Sequence, residues 1–537
     1  MDPKIAYFSM EFGLSEEMHS YAGGLGILAG DHLKGAADLG LPLVGVGILW
    51  RHGYTTQLVG DTGWPYDRYP DFRYDFVEDT GVRISVEVQR RPVAVRVWRT
   101  THFGNAPLFL LDTNLPENSP QDQGITAHLY GGGRDDRLAQ EIVLGIGGVR
   151  ALVALGIDPQ VFHFNEGHAI LAALELIRRR MEAGLSFADA WTQVRQLCVF
   201  TTHTPVPEGN EWHPLDAMFG MGANNGLGYP EMVAIGDDPF NMTIAGLRLS
   251  RVANAVSELH GHTARAMWAH IQNAAPIVHV TNGVHPGTWL NPQVAAARSP
   301  EELWSAHMAA KRNLLSEIYA RMGIWMDPSV LLIGFARRAA TYKRSDLIFR
   351  DPSRIEPYIA DGKLNLVFAG KAHPNDDIGK GTVARLVEKS RQYHGHVAYL
   401  QNYDMRLGRM LTQGCDVWLN NPRRPMEASG TSGMKAAMNG VLHCSTPDGW
   451  WPEAACHGIN GWVFGGGEYG DVDAYDLHQL YEVLANEVVP TYYNNRDRWL
   501  DMMRASISST REAYSIHRML RQYQELVYQS QVLACRT

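Results

Sequence analysis

The sequence predicts an α/β fold with two parallel sheets, on three observations. Short apolar runs alternate with longer helical patterns along the chain. Most of these runs are continuously apolar, as in strands covered on both faces of a parallel sheet. They also fall into two sets, separated by a helical stretch.

The first set is IAYFSMEF (5–12), LPLVGVGIL (41–49), VFHFN (161–165), LCVFTTHT (197–204) and PIVHVTN (276–282). The second is VLLIGFARR (330–338), LNLVFAGKA (364–372), HVAYLQNY (396–403), CDVWLNN (415–421) and GVLHCST (440–446). Strand–helix alternation implies right-handed βαβ crossovers. Between the sets, residues 294–327 read as helices, with Ser299-Pro300 as a start signal. Residues 1–300 are therefore expected to form an N-terminal domain, 301–327 a connection and 328–510 a C-terminal domain. The stretch 511–531 reads as a helix, and the terminal segment 511–537 is expected to return to the first domain.

A chain of 537 residues is too long for one core, which agrees with two domains. The net charge of -9 argues against a dedicated nucleic-acid protein, whose binding face is basic. The cysteines are Cys198, Cys415, Cys444, Cys456 and Cys535, with no metal-ligand spacing. That usage fits a reducing, cytoplasmic setting, and no metal is expected. The N-terminus shows no signal-peptide pattern and no apolar run reaches the length of a membrane span.

Polar residues follow the strands rather than precede them: His203, Asn282, Arg337, Arg338, Lys371 and Asn402. In open α/β sheets, ligands bind outside the carboxyl ends of the strands. Two such sheets facing each other would form a cleft.

Five stretches carry candidate chemistry. In SYAGGLGILAGDHLKGAADLG (20–40), Gly23, Gly24 and Gly26 form a turn before a helix, suited to a phosphate or a closely packed sugar. Packing alone also explains such glycines. In FARRAATYKRSD (335–346), Arg337, Arg338, Lys343 and Arg344 gather cations just after a strand, where an anion or plain solvation balances them. In HFNEGHA (163–169), His163, Glu166 and His168 lack zinc-site spacing, which favours hydrogen-bonding roles. In FTTHTPVPEGNE (200–211), His203 leaves a strand into a loop stiffened by Pro205 and Pro207.

The fifth stretch is MEASGTSGMKAAMNG (426–440), a glycine-rich turn entering a helix. Gly430, Thr431 and Ser432 suit a phosphate at a helix N-terminus. Lys435 is expected in the first helical turn, where a cation is unfavourable. Condensation with an aldehyde would remove that conflict, and pyridoxal phosphate supplies an aldehyde and a phosphate together. A lysine reaching to solvent is the alternative.

These residues resemble the α-glucan (glycogen, starch and maltodextrin) phosphorylases. The family's pyridoxal signature E-A-[SC]-G-x-[GS]-x-M-K-x-x-[LM]-N is met throughout by Glu427 to Asn439. The GGLG loop, RLAQE (137–141), NEGH, TTHTPVPE, RVANAVSELH (251–260), TNGVHPGTW and YKR follow in the family's order. The resemblance runs from about residue 5 to about residue 465. It implies two Rossmann-like domains facing a deep inter-domain cleft, a GT-B type glycosyltransferase fold, with pyridoxal 5'-phosphate on the C-terminal domain.

Carried over by position, the resemblance makes Lys435 the cofactor lysine. Thr431, Ser432, Gly433 and Arg337 would hold the cofactor phosphate, and Tyr403 and Trp289 would lie against the ring. Arg338, Lys343 and the Gly24 N–H, next to Gly23, would bind the substrate phosphate. Glu427, His203, Asn282 and Gly430 would bond the reacting glucosyl unit, near Leu25 and Tyr342. The implied partners are α-glucan, inorganic phosphate and glucose 1-phosphate, with no nucleic acid or membrane; a homo-oligomer is the family habit.

The sequence also departs from the family. It starts almost at the first strand, without the N-terminal extension used in large phosphorylases for regulation and dimer contacts. The LYGGGRDDRL loop is shorter than the usual gate loop, Asp404 stands where an arginine helps hold the cofactor phosphate, and TPDGWWPEA is unusual. These features match the short prokaryotic branch. The implied reaction is reversible phosphorolysis of α-1,4-glucan with retained configuration. A nucleotide-sugar-dependent glucan synthase and a non-catalytic glucan-binding protein are the alternatives on the same fold.

Overall fold

The computed structural model describes residues 4–206, 209–467 and 470–529. Pro207, residues 530–531 of the stretch read as a terminal helix and Cys535 lie outside them.

The chain divides into two compact units. One takes in Met1–Tyr54, Tyr69–Thr281 and Ile516–Thr537; the other takes in Thr55–Arg68 and Asn282–Ser515. The division falls at Thr281/Asn282, ahead of the stretch 301–327 read as a connection. Most of that stretch is the long helix Pro300–Met322, capped by the Ser299 side chain, which packs its Leu314 and Ile318 into the second unit.

In the first unit, a nine-stranded sheet runs in the order Ile277–His279, Val252–Ala255, Cys198–Thr201, Val161–Asn165, Ile5–Phe8, Leu43–Ile48, Leu108–Asp112, Arg91–Thr100, Glu78–Val88. From Ile277–His279 to Leu108–Asp112 the pairings are parallel; the last two are antiparallel. Alternate residues serve opposite layers: Ala6 and Phe8 enter one core cluster, Ile5 and Tyr7 the other. That two-sided burial is why these strands read as unbroken apolar runs. The described part of the terminal segment belongs to this unit, with Ile516, Met519, Leu520 and Tyr523 buried beside Leu33 and Ala36. A Cβ on Gly35 would lie 2.6 Å from Ile516, so the glycine permits this close approach.

In the second unit, six parallel strands run in the order Val397–Leu400, Leu364–Ala369, Leu331–Ala336, Val417–Asn420, Leu442–Ser445, Gly461–Val463. Leu331, Ile333 and Phe335 face one core cluster, Leu332 and Ala336 the other. The small hairpin Thr56–Val59/Pro65–Arg68 also belongs to this unit. Gln57 exchanges two hydrogen bonds with the backbone of Ala372, and Lys380 pairs with Asp67 at 2.7 Å.

All ten strand runs expected from the sequence contain strands. Both sheets are doubly wound. The first strand of each is central, and the chain fills one side of the sheet before crossing to the other. The crossover falls between Ile5–Phe8 and Val161–Asn165 in the first unit, and between Leu331–Ala336 and Val417–Asn420 in the second. Ligand sites of such sheets lie at these points. No helix among the described residues is long and apolar enough to cross a membrane.

Candidate active site

In the second unit, the crossover gathers residues far apart in sequence. Arg337 directly follows Leu331–Ala336 and donates to Asn420, the last residue of Val417–Asn420. Its Nη2 also lies 2.5 Å from Glu427 Oε2, and Lys343 Nζ lies 2.9 Å from the same oxygen. The Lys343 ammonium stands 4.8 Å from the Tyr342 ring centroid. Burial pushes the Glu427 carboxyl up, but the charges of Arg337 and Lys343 outweigh it and hold the group at about 2. Glu427 is thus a carboxylate at neutral pH, able to accept hydroxyl protons. Arg338 lies on the exposed side of the same loop, and Arg344 turns inward to Asp473 and Asp476. The cation cluster is therefore split: Arg337 and Lys343 meet Glu427, Arg344 holds the fold and Arg338 faces out.

The helix after the glycine turn is Thr431–Met438, with Gly430 as its N-cap at φ 82. A left-handed cap favours glycine, and no side chain caps the helix. Lys435 lies in its last turn, not its first. The expected conflict with the helix dipole is therefore absent, since a cation is favoured at that end. What remains is burial. Lys435 is 7% exposed, with Nζ 3.6 Å from the centroid of the Trp289 ring. Trp289 is held there by Asn439 and Gln413, which both donate to its carbonyl at 3.0 Å. Asn439, read only as the end of the signature, is thus a structural partner of the site.

The other residues of this unit fall as follows. Ser432 accepts from the Trp418 indole at 3.2 Å, leaving its backbone for a ligand. A Cβ on Gly433 would lie 2.6 Å from the His443 ring, so packing explains that glycine. Tyr403 is held well above the ordinary phenol range by burial and then by Asp404. Asp404 itself caps the helix Met405–Gly414 through Leu407 N–H. Asn282 is buried at the start of the unit. Asp448, which the sequence reading passed over, accepts the backbone N–H of Glu427 and of Gly449. Burial pushes its carboxyl up to about 7. The next residues clamp the same loop, with Trp450 N–H donating to the Ser429 carbonyl at 2.9 Å.

These residues fit pyridoxal 5'-phosphate on one particular observation. The Arg337 Nε is buried with no hydrogen-bond partner among the described residues, in the same group that faces Glu427. A phosphate is an anion that satisfies such a donor, and the open helix N-terminus offers further N–H groups. Lys435 would supply the amine and Trp289 a flat face.

In the first unit, Gly23 caps the helix Gly24–Asp38, and a Cβ on Gly23 or Gly24 would meet nothing within 4 Å. Packing does not demand those two glycines; it does demand Gly26, whose Cβ would lie 2.7 Å from Glu11. Leu25, in the first turn of this helix, is partly exposed. Glu11 Oε2 accepts the N–H of Ala22 and Gly23, at 2.6 and 3.2 Å, and Tyr130 donates to its other oxygen. His203 follows the strand Cys198–Thr201, which neighbours the crossover strand Val161–Asn165. Its N–H donates to Glu166 Oε2 at 2.7 Å and its Nε2 lies 2.6 Å from Asn165 Oδ1. Asn165 Nδ2 donates to Ser9, so His203 Nε2 carries the proton and Nδ1 is the acceptor. Burial lowers the His203 pKa to about 3, so the ring is neutral. His163 bonds Tyr528 and Thr201, the structural role its spacing favoured.

The sequence profile of the family described as carbohydrate phosphorylase matches residues 288–457. The chain is 41% identical to a maltodextrin phosphorylase of Thermococcus litoralis, covering 98% of this chain and 70% of that one. It is 40% identical to a glycogen phosphorylase of Mycobacterium bovis, over 98% and 70%. A glycogen phosphorylase of Aquifex aeolicus is 36% identical, over 97% of this chain and 85% of its own. With its two doubly wound sheets, its buried lysine behind a glycine turn and relatives matched along nearly its whole length, the chain belongs to the carbohydrate phosphorylase family.

Proposed function

We propose that this protein is an α-1,4-glucan phosphorylase. It cleaves the non-reducing ends of glycogen or maltodextrin with inorganic phosphate, reversibly giving α-D-glucose 1-phosphate with retained configuration. The observation that carries this reading is the cluster at the second crossover, where Arg337 and Lys343 converge on an ionised Glu427.

The reaction passes through an oxocarbenium-like state beside a phosphate, so positioning and charge do most of the catalysis. Lys343 binds the substrate phosphate with Arg338 of the same loop, and in the first unit the Gly24 N–H suits an anion by itself. Glu427, held ionised, accepts hydrogen bonds from hydroxyls of the glucosyl unit, with Asn282, Gly430 and Tyr342 of the same unit as its further contacts. His203 is neutral and offers Nδ1 to a sugar hydroxyl. Lys435 would anchor pyridoxal 5'-phosphate; Trp289 and Tyr403 would hold its ring, and Arg337, Thr431, Ser432 and Gly433 its phosphate. When bound, that cofactor would supply a phosphate group as proton partner for the substrate phosphate. Phosphorolysis through such a state needs no hydrolase-type pair of carboxylates. The free thiols Cys198, Cys415, Cys444 and Cys456 support a cytoplasmic setting.

One sample tests the reading, by an absorption spectrum followed by incubation with maltodextrin and phosphate. A bound chromophore and release of glucose 1-phosphate are expected. Glucosyl transfer from a nucleotide sugar only would establish the synthase reading instead, and glucan binding without turnover the binding-protein reading.

A further inference from the structure

Glu166 has a geometry that neither the fold nor the proposed roles account for. It is the first residue after the strand Val161–Asn165, on the crossover of the first sheet. Its backbone lies at φ 70, ψ 175, a region that side-chain-bearing residues enter only under strain. Glycine would adopt it freely, yet the chain has glutamate here and glycine at the next position, Gly167. Strain of this kind persists where surrounding contacts over-determine it, often at functional sites.

The contacts are specific. The Glu166 N–H donates to the Thr201 carbonyl at 2.8 Å, which ties the residue to the neighbouring strand. The residue is 8% exposed. Its Oε2 accepts the His203 N–H at 2.7 Å and the Thr204 hydroxyl at 3.2 Å. The preceding residue, Asn165, holds the His203 ring through Nε2. Two consecutive residues therefore grip His203 at both ends, one by its backbone and one by its imidazole. A β-type conformation at Glu166 would send the carboxylate elsewhere and release the backbone end.

We propose that Glu166 is a positioning residue for His203, its strained backbone aiming a carboxylate that sets the direction in which His203 presents its ring and carbonyl. The proposal rests on the role given above to His203 in holding the glucosyl unit. Burial pushes the Glu166 carboxyl up to about 7 against the lowering effect of these hydrogen bonds, so the group is kept there at a cost that a mere strand terminator would not need.

The test compares the wild-type holoenzyme with Glu166→Ala, Glu166→Gln and Glu166→Gly. Three readouts are taken: KM and kcat with maltodextrin and with phosphate varied in turn, melting temperature, and maltoheptaose affinity by calorimetry. Glu166→Ala is expected to lower kcat/KM for maltodextrin about 10- to 100-fold while leaving KM for phosphate within about threefold. Glu166→Gln, which keeps an acceptor oxygen, is expected to recover most of that loss. Glu166→Gly is expected to share the alanine defect yet melt at or above the wild-type temperature, because the strain is gone. The proposal is overturned if the maltodextrin and phosphate constants move together, if glutamine is no better than alanine, or if the glycine variant is fully active. Should Glu166→Ala fail to fold, the glycine–glutamine comparison decides. A wild type without phosphorolysis overturns the proposed function instead, and maltoheptaose affinity across the variants then decides the role of Glu166.

Discussion

The ammonium of Lys435 lies 3.6 Å from the centroid of the Trp289 ring, and Asn439 binds the Trp289 carbonyl to the end of the helix that carries the lysine. A buried ammonium over an aromatic face is partly desolvated, and its attraction to the ring is worth about 2 kcal/mol in such a setting. The lysine is thus held still and poorly hydrated, a suitable state for an amine that carries an aldehyde cofactor.

Replacing Lys435 with alanine is therefore expected to abolish both the chromophore and phosphorolysis. Borohydride reduction of the wild-type holoenzyme should attach the pyridoxal group to Lys435, read by peptide mass. A fully active, colourless protein would sink the cofactor assignment.

Glu427 is expected to be a pH-dependent stabiliser. Its folded pKa of about 2 lies below its unfolded value, so its contribution is present above that value and lost as pH falls towards 2. Glu427→Gln leaves Arg337 and Lys343 without their counter-charge, a loss of about 3 kcal/mol at neutral pH for a buried pair. In urea unfolding, the gap between variant and wild type should narrow from pH 5 to pH 2. A gap independent of pH would refute the ion-pair account.

Asp448 has the opposite sign. Burial raises its folded pKa to about 7, so the folded state binds the proton more tightly than the unfolded chain. Stability from this group falls as pH rises between about 4 and 7. Asp448→Asn should flatten that fall, and should lower kcat by about tenfold or more through the loop that carries Glu427. An unchanged stability–pH curve would show that Asp448 does not titrate in this way.

Thiol chemistry offers a simple check of the packing. Cys456 is exposed, while Cys198, Cys415 and Cys444 are buried. Burial pushes the Cys198 thiol up to about 12, and Cys415 and Cys444 are raised as well. Since the thiolate is the reactive form, iodoacetamide should modify Cys456 in the folded protein and the other three only after unfolding. Early labelling of Cys444 would mean that the second core opens readily.

Much of the fold was legible because parallel strands buried on both faces leave unbroken apolar runs, as in LLIGFA and LNLVFA. The antiparallel pair Glu78–Val88 and Arg91–Thr100 was less legible. One of its strands alternates exposed and half-buried residues along most of its length, so it carries no continuous apolar signal. The hairpin Thr56–Val59/Pro65–Arg68 could not be assigned to the second unit from sequence, because its partners Ala372 and Lys380 lie more than 300 positions away.

The same division holds for the candidate site. The glycine turn, the lysine and the strand-end cations were readable because each is a local pattern with a local physical reason. The position of Lys435 within its helix was not legible, since the turn ends at Gly430, the helix already begins at Thr431 and it is only eight residues long.

By itself, the sequence determined the two sets of buried parallel strands, the glycine turns at their ends and which residues could carry charge there. Only the tertiary structure decided which charges meet. Arg337 and Lys343 converge on Glu427 across 90 and 84 positions, and Glu166 reaches His203 across 37. Those pairings depend on where the crossover brings strand ends together. Sequence spacing holds no record of that, because the intervening chain is consumed by whole strands and helices.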